Sequence, residues 1–350
     1  MRRRRAASRV GSAPGARAVA AAIVAVALSG LFALPAAAAE GPAAPSGAPA
    51  PSAGAPAPAP ARMTITLAGV GGRPRFALER RRIVVNGALA PYVAGQTVAV
   101  SLLVDGRSVA ARVVSVLPGA AGAGRFRLAL VSRYGGLAQV RAVHAASPQQ
   151  AALQARSERF RVVDAKLGPG ARGQSVRLLQ SELNALHYAV PLTGSFDEGT
   201  GEALIAYRKM TGLARVPYAG ARVFELLARG AGRFRVRHRA DGRHVEADLT
   251  RQVLAEIEAG GRVRRIYTIS SGKPSTPTVL GRFQVYLKTP GENSEGMVDS
   301  NYFIRGYAIH GYAEVPTYAA SHGCLRVPIP DAPAIYAWVR LGTPVDVYYE

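Results

Sequence analysis

The segments Ile309-His310-Gly311 and Ser321-His322-Gly323-Cys324-Leu325-Arg326 decide how the C-terminal part of this sequence is interpreted. They hold two of the six histidines of the chain and its only cysteine. A cysteine reacts as the thiolate, so a catalytic cysteine needs a nearby base that accepts its proton. In a tight turn, the amides of residues 322, 323 and 324 could also stabilise a tetrahedral oxyanion. The pattern predicts Cys324 as a nucleophile with a histidine as its base.

Three other interpretations of these residues stay open at this point. Cys324 could be an inert thiol in a core, since a single cysteine cannot form an internal disulfide. Cys324, His310 and His322 could bind zinc, although no fourth ligand is spaced convincingly. Ser321 could itself be a serine nucleophile. The clustering of cysteine, histidine and glycine favours the thiol enzyme over all three.

The order of these residues resembles the catalytic domain of the L,D-transpeptidases, the YkuD-like family. The similarity covers roughly residues 233–350, and three upstream segments agree with it: Ser270-Ser271-Gly272-Lys273, Thr276-Pro277-Thr278 and Gly281-Arg282-Phe283. It implies a mostly β catalytic domain, a YkuD-like β-sandwich with a helix, and no metal or organic cofactor. His310 lies 14 residues before Cys324, closer than in many members, so a loop that would line the substrate groove is shorter.

The resemblance also implies a role for each matching residue. Cys324 would be the nucleophile and His310 the general base, while the Gly311 carbonyl would orient the imidazole in place of a triad carboxylate. The turn and the oxyanion site would be shaped by Ser321, His322 and Gly323. The candidate substrate-binding residues are Arg326, Tyr302, Tyr312 and Tyr318. For the tyrosines the alternative is packing within the sheet, and for the arginine it is a structural salt bridge.

For the whole chain, the resemblance implies an L,D-transpeptidase that crosslinks peptidoglycan stem peptides. Cys324 would attack a tetrapeptide stem, expel D-Ala and pass the thioester to an amine of a neighbouring stem. Stem peptides and glycan strands would be its partners, and carbapenem β-lactams its covalent inhibitors. An L,D-carboxypeptidase with the same thioester and a non-catalytic peptidoglycan-binding wall protein are the alternatives. A papain-like wall-lytic enzyme fits less well, because its cysteine would precede its histidine.

Residues 1–39 are typical of an export signal. Arginines at the start are followed by an apolar run at residues 18–34 and by the small residues 37–39. A retained membrane anchor is the alternative, because the apolar run approaches the length that spans a bilayer. Residues 40–62 are rich in Ala and Pro and predict a linker. We therefore expect an extracytoplasmic protein of a bacterium, either secreted or associated with the cell wall or membrane.

The charge of the chain predicts an anionic partner. Without the six arginines of the signal, 38 basic and 22 acidic residues leave a net charge of +16. Exported proteins rarely meet nucleic acid, so we expect none, and an anionic cell wall or membrane surface is the better partner class.

Two further domains are predicted before the catalytic one. Residues 63–164 predict an Ig-like β-sandwich, because short alternating runs are separated by Gly-rich turns. Residues 165–230 predict three short helices, the first capped by Ser175, the second capped by Asp197 and the third ending at Gly230. This segment resembles a peptidoglycan-binding domain through Gly173-Gln174-Ser175-Val176, Leu179-Gln180-Ser181-Glu182-Leu183, Phe196-Asp197, Thr200 and Gly212-Leu213. A purely structural bundle is the alternative.

The catalytic domain is predicted at residues 231–350. Its expected strands are Arg233–His238, His244–Asp248, Gln252–Glu258, Arg262–Ser270 and Pro344–Tyr348. Asp331 is expected to cap a helix over Ala332–Arg340 that ends at Gly342. The remaining histidines are interpreted as ordinary surface or strand residues: His144, His187, His238 and His244.

Overall fold

The structure is a computed structural model that describes residues 61–350. The predicted signal peptide at 1–39 and all but the last two residues of the predicted linker lie outside the described residues. The first strand already begins at Arg62. Between residues 61 and 350, no helix is both long enough and apolar enough to cross a membrane.

Residues 62–163 form two β-sheets that share one core. The strands are β1 Arg62–Ala68, β2 Phe76–Leu78, β3 Arg82–Ala90, β4 Thr97–Val104, β5 Arg107–Ser115, β6 Leu117–Pro118, β7 Gly124–Val131, β8 Gly136–His144, β9 Leu153–Arg156 and β10 Phe160–Val163. One sheet has the order β1-β3-β7-β6, and the other β2-β10-β8-β4-β5 with β9 beside β8. In β4, alternate residues from Val98 to Val104 are buried, which is the two-residue period of a strand with one face in a core. The Ig-like assignment of this region stays a prediction.

Three helices follow: α1 Gln174–Ala185, α2 Glu198–Met210 and α3 Ala221–Ala228. Asp197 caps α2 as predicted, because its Oδ1 accepts the backbone N–H of Thr200 at 2.9 Å. The predicted cap at Ser175 is wrong. The Gly173 carbonyl already accepts the N–H of Arg177, so α1 begins at Gln174 with glycine as its cap. That these helices bind peptidoglycan stays a prediction.

The remaining chain forms two sheets and one helix. The strands are β11 His244–Asp248, β12 Val253–Glu258, β13 Arg262–Thr268, β14 Gly281–Gln284, β15 Leu287–Glu292, β16 Val298–Ile304, β17 Tyr307–Tyr312, β18 Leu325–Pro328 and β19 Pro344–Tyr348, and the helix is α4 Ala332–Trp338. One sheet has the order β13-β12-β11-β19-β14, and the other β15-β16-β17-β18. Buried residues from both sheets and from α4 form a common core. The described part of the chain is therefore mostly β with few helices, as expected.

The helices pack on the β regions before and after them. Phe76 of β2 meets Phe224 of α3 edge to face, with ring centroids 5.9 Å apart. Toward the C-terminal side, Tyr188 and Tyr207 pack with Ile266 of β13 in the same apolar cluster. Burial of these large side chains stabilises the contact between the helices and both β regions.

Two local predictions for the last domain are wrong. Arg233–His238 is not a strand, because the N–H groups of Arg237 and His238 donate to the Glu246 carboxylate and not to another strand. Asp331 makes no side-chain cap, since it lies in a helical conformation at the end of a single 3₁₀ turn. Pro333 also removes one N–H that a cap would bind.

Candidate active site

The candidate nucleophile and base are brought together by two parallel strands. In the pairing of β17 with β18, Ile309 lies beside Leu325 and His310 beside Arg326. Ile309 and Leu325 are fully buried in the core between the sheets. Because successive side chains alternate, His310 and Arg326 lie on the opposite face. Cys324 directly precedes β18, in the bend two positions before Arg326, and its Sγ lies 3.7 Å from the carbonyl oxygen of Gly306, which directly precedes β17.

The His310 ring is held in one orientation. Its side chain is buried, at 3% exposure, and Nδ1 lies 2.9 Å from the Gly311 carbonyl oxygen. A carbonyl can only accept, so the proton of the neutral ring is on Nδ1, and Nε2 carries the free lone pair. The ring of Tyr312 packs edge to face at 5.6 Å. Burial is the main cause that lowers the pKa of His310 to about 4, and the positive charge of Arg326 acts in the same direction.

Cys324 is half-buried, and its Sγ lies 3.7 Å from the carbonyl oxygen of Gly306. Burial raises the pKa of the thiol, against the opposing effects of the Ala308 backbone and of Arg326. The pKa of His310 is thus lowered and that of Cys324 is raised, and both shifts favour the neutral form of the side chain. A resting site with a neutral thiol and a neutral imidazole follows, and a preformed thiolate–imidazolium pair is not favoured.

Ser321 fastens the turn that precedes the cysteine. Its Oγ donates to the Cys324 carbonyl at 2.6 Å and accepts the Gly323 N–H at 3.1 Å. Its own N–H donates to the carbonyl of Ser271. Both observations give Ser321 a structural role, which does not favour it as the nucleophile. The Gly323 amide, expected to face an oxyanion, is already bound to Ser321 Oγ.

Gly323 is required at its position in the turn. Its φ is +122°, a value that side-chain-bearing residues rarely adopt. A Cβ there would lie 2.0 Å from a ring carbon of Tyr307. Gly311 is similarly restricted, since a Cβ would lie 2.8 Å from that of Ala332. The two glycines thus permit close packing around the candidate nucleophile and base.

Lys273, His322 and Arg326 surround the turn. His322 is exposed, and its Nε2 lies 3.1 Å from Nζ of Lys273. The Lys273 N–H also donates to the Ser321 carbonyl. The Arg326 guanidinium lies over the Tyr312 ring, 4.0 Å from its centroid. Lys273 stands in a motif that the sequence singles out, but its contact with His322 became visible only in the fold.

A cleft of about 700 Å³ opens beside this face. Tyr312, Tyr318 and Arg326 line it, together with acidic residues that the sequence did not point to: Glu198, Glu202 and Glu314. Tyr318 is 64% exposed. Tyr302 lies opposite Ala308 on β16, on the same face as His310, but it does not line the cleft. Glu198 and Glu202 belong to α2, and no local sequence signal connects that helix to the site.

The interpretation of Cys324, His310 and His322 as a zinc site is not supported by their placement. Among residues 61–350, the grouping of His, Cys, Asp and Glu side chains able to hold an ion is elsewhere, at His238, Asp241 and Asp346.

Known proteins resemble the C-terminal part of this chain. Residues 242–347 match the family model of the YkuD L,D-transpeptidase catalytic domain. An L,D-transpeptidase from Xylanimonas cellulosilytica is 32% identical, covering 53% of this chain and 98% of the other, with a TM-score of 0.49. An L,D-transpeptidase from Stackebrandtia nassauensis is 21% identical, and the match covers 53% of this chain and 95% of the other, with a TM-score of 0.34. An L,D-transpeptidase from Enterococcus faecium is 27% identical, and the match covers 31% of this chain and 50% of the other, with a TM-score of 0.27. No curated protein matches this chain.

Proposed function

We propose that this chain, which belongs to the L,D-transpeptidase family, crosslinks peptidoglycan stem peptides through a thioester on Cys324. The observation that carries the proposal is the position of His310 on β17 and of Cys324 directly before β18, the strand that pairs with β17. The Gly311 carbonyl holds the proton of the imidazole on Nδ1, so Nε2 is left to accept the thiol proton. A weak nucleophile needs a base placed in this way.

In the first half of the reaction, the neutral thiol is activated only as the substrate arrives. His310 Nε2 takes the thiol proton while Sγ attacks the carbonyl of the third residue of a tetrapeptide stem. The tetrahedral intermediate then collapses, the C–N bond to D-Ala breaks, and the imidazolium returns its proton to the leaving amine. The products are a Cys324 thioester and free D-Ala. The low pKa of His310 keeps the base unprotonated at neutral pH.

In the second half, an amine of a neighbouring stem attacks the thioester carbonyl. His310 removes a proton from that amine, and the thiolate leaves and is reprotonated. No nucleotide is needed, because the energy of the first amide bond is kept in the thioester. The cleft beside Tyr312 is the proposed path of the acceptor, since its three glutamates would attract an ammonium group.

The basic side chains of Lys273 and Arg326, with His322 beside them, would bind the donor. A stem peptide carries carboxylates, and Lys273, His322 and Arg326 lie beside the nucleophile. His322 and the turn fastened by Ser321 would place donors near the developing oxyanion. Tyr302, Tyr312 and Tyr318 are proposed contacts for the rest of the peptide.

The remaining parts of the proposal concern location and partners. The N-terminal 39 residues are proposed to export the chain, so that residues 61–350 act at the cell wall. The three helices are proposed to hold glycan strands near the catalytic domain. A carbapenem would acylate Cys324, because its strained lactam offers a carbonyl to the same nucleophile.

The alternative closest in chemistry is an L,D-carboxypeptidase, in which water replaces the acceptor amine. Purified tetrapeptide stems separate the two functions: a crosslinked dimer supports transpeptidation, whereas tripeptide alone supports hydrolysis. A non-catalytic wall-binding protein would give neither product.

Intact-mass measurement after incubation with a carbapenem tests the central claim. We expect one adduct per chain, with loss of the adduct and of the dimeric product in Cys324→Ser. Val113→Ala is the control, because the Val113 side chain is 70% exposed on β5, outside the catalytic domain. An adduct that persists in Cys324→Ser, or a wild-type chain that forms neither adduct nor product, would contradict the proposal.

A further inference from the structure

A second polar cluster lies in the same domain but outside the candidate active site. It consists of His238 and Asp241 in the loop before β11 and Asp346 on β19. One ligand atom from each of the three lies within 4.8 Å of the other two. Imidazole and carboxylate are donors that zinc accepts in proteins.

Asp346 supplies an independent observation. It is 2% exposed, yet its Oδ2 is buried without a hydrogen-bond partner. A buried, unpaired carboxylate oxygen is costly, and buried charges are normally paired or coordinate metals. Asp346 therefore has one buried carboxylate oxygen that no donor among the described residues satisfies.

Arg282 is the cation that now stands nearest to the cluster. Its Nη2 lies 3.0 Å from Asp241 Oδ2 without forming a hydrogen bond, and its Nε lies 3.9 Å from Asp346 Oδ1. The Arg282 side chain is more than half exposed, so it can swing into solvent. His244 also faces Asp346, but it is already bonded to Glu246 at 3.1 Å. Neither side chain satisfies Asp346 Oδ2.

We propose that His238, Asp241 and Asp346 bind a divalent first-row transition cation, with Zn²⁺ as the best fit. Three protein ligands and a water would complete a tetrahedral site. His238 Nδ1 and Asp241 Oδ2 are 4.0 Å apart. A zinc ion that both atoms bind at about 2 Å requires them to be closer together. The two loop side chains therefore move toward each other by about 1 Å when the ion binds. The ion ties the loop before the first strand of the domain to its last strand. Arg282 is displaced when it binds.

The test is zinc titration by isothermal calorimetry on the full chain, untagged and freed of metal with EDTA. All variants carry Cys324→Ser, so that zinc bound by the catalytic thiol does not confuse the result. We expect one zinc per chain and a higher midpoint of thermal unfolding with zinc than with EDTA. Asp346→Asn and His238→Ala should each weaken zinc binding by at least about 100-fold.

Arg282→Gln is the discriminating variant. If the arginine competes with the ion, its removal tightens zinc binding by about tenfold. If Arg282 and the two aspartates form only an ion pair, no variant will bind zinc, and that result overturns the proposal. Zinc binding that survives both Asp346→Asn and His238→Ala overturns it as well. The test does not depend on the buried Asp346 variant alone. The His238 side chain is partly exposed, so His238→Ala can be measured even if Asp346→Asn fails to fold.

Discussion

The turn before Cys324 depends on one missing side chain. Gly323→Ala would place a methyl group 2.0 Å from the Tyr307 ring, at a φ of +122° that alanine avoids. The turn must then shift, and a displacement of about 1 Å at a reacting atom can cost about 100-fold in rate. We expect carbapenem acylation of Gly323→Ala to slow by at least about 100-fold, measured by intact mass over time. Acylation at the wild-type rate would mean that the turn is not rigid.

The protonation state of the pair gives a second prediction. Arg326→Gln removes a positive charge that lowers the pKa of both Cys324 and His310. Without it the thiolate is less stabilised and the imidazolium less disfavoured, so both pKa values rise. Alkylation by iodoacetamide, followed against pH, reports the thiol directly and needs no peptide binding. We expect the alkylation midpoint to move upward in Arg326→Gln and to stay in place in Arg340→Gln, a change at an exposed arginine two residues beyond the end of α4. An unmoved midpoint in Arg326→Gln would show that solvent screens its charge.

The pairing of a cysteine with a histidine could be predicted from residues alone. The resemblance carried the order of His310, Gly311 and Cys324, and the fold places His310 on β17 and Cys324 directly before the adjacent β18. The direction of their pKa shifts could not be predicted, because it depends on burial by residues far away in the chain. For the same reason, the role of Ser321 as a fastener of the turn became visible only through its bonds to Ser271 and Cys324.

Among the elements, a residue that the sequence predicts as a helix cap acts as one only where the N–H groups of the first helical turn are free to donate to it. Asp197 was predictable because the Thr200 N–H is available to it. Ser175 failed because Gly173 begins the helix earlier, and Asp331 failed because a helical turn already runs into α4. Polar and apolar residues alternate in the segment 233–238 as they do in a strand. The buried Glu246 carboxylate on β11, however, accepts the N–H groups of Arg237 and His238. Such competition between distant groups is invisible in a local pattern.

Removal of the α2 cap is expected to be measurable. Asp197→Ala leaves the Thr200 N–H without its partner, which typically lowers the free energy of unfolding by about 1 kcal/mol. Although burial raises the pKa of Asp197, hydrogen bonds from Thr200 and Thr193 outweigh it and hold that pKa below its usual range. The cap therefore stabilises the fold above the usual carboxyl pKa and is lost as the pH falls through the lowered value. Urea unfolding at neutral and acid pH should show a gap between wild type and Asp197→Ala that closes in acid. Asp331→Ala, which removes no cap bond, should cause no such loss.

At the scale of the molecule, α2 is joined to the catalytic domain by one buried lysine. Lys209 is 4% exposed, and its Nζ is hydrogen-bonded to the Gln252 carbonyl, Thr268 Oγ1 and the Ile269 carbonyl at 2.6–3.0 Å. The side chain of Gln252 in turn bonds Ser271, whose carbonyl holds the N–H of Ser321. A continuous set of hydrogen bonds thus runs from the helices to the turn of the nucleophile. Sequence could not predict it, since Lys209 reads as an ordinary polar residue at the end of a helix.

Lys209→Met breaks this set and leaves three buried polar groups unpaired, so we expect the free energy of unfolding to fall by about 2 kcal/mol. Burial lowers the pKa of Lys209 to about 7, far below that of an unfolded lysine, about 10.4. Between these values the native lysine is neutral, with two N–H donors for the carbonyls and a lone pair that accepts from the Thr268 hydroxyl, while the unfolded one is charged. Wild-type stability therefore rises with pH across this window. That rise is absent in Lys209→Met. Thermal midpoints measured from pH 6 to pH 10 should therefore diverge as the pH increases, whereas Lys166→Met, at an exposed lysine, should follow wild type throughout. Parallel curves for wild type and Lys209→Met would mean that the buried amine keeps its proton across the whole range.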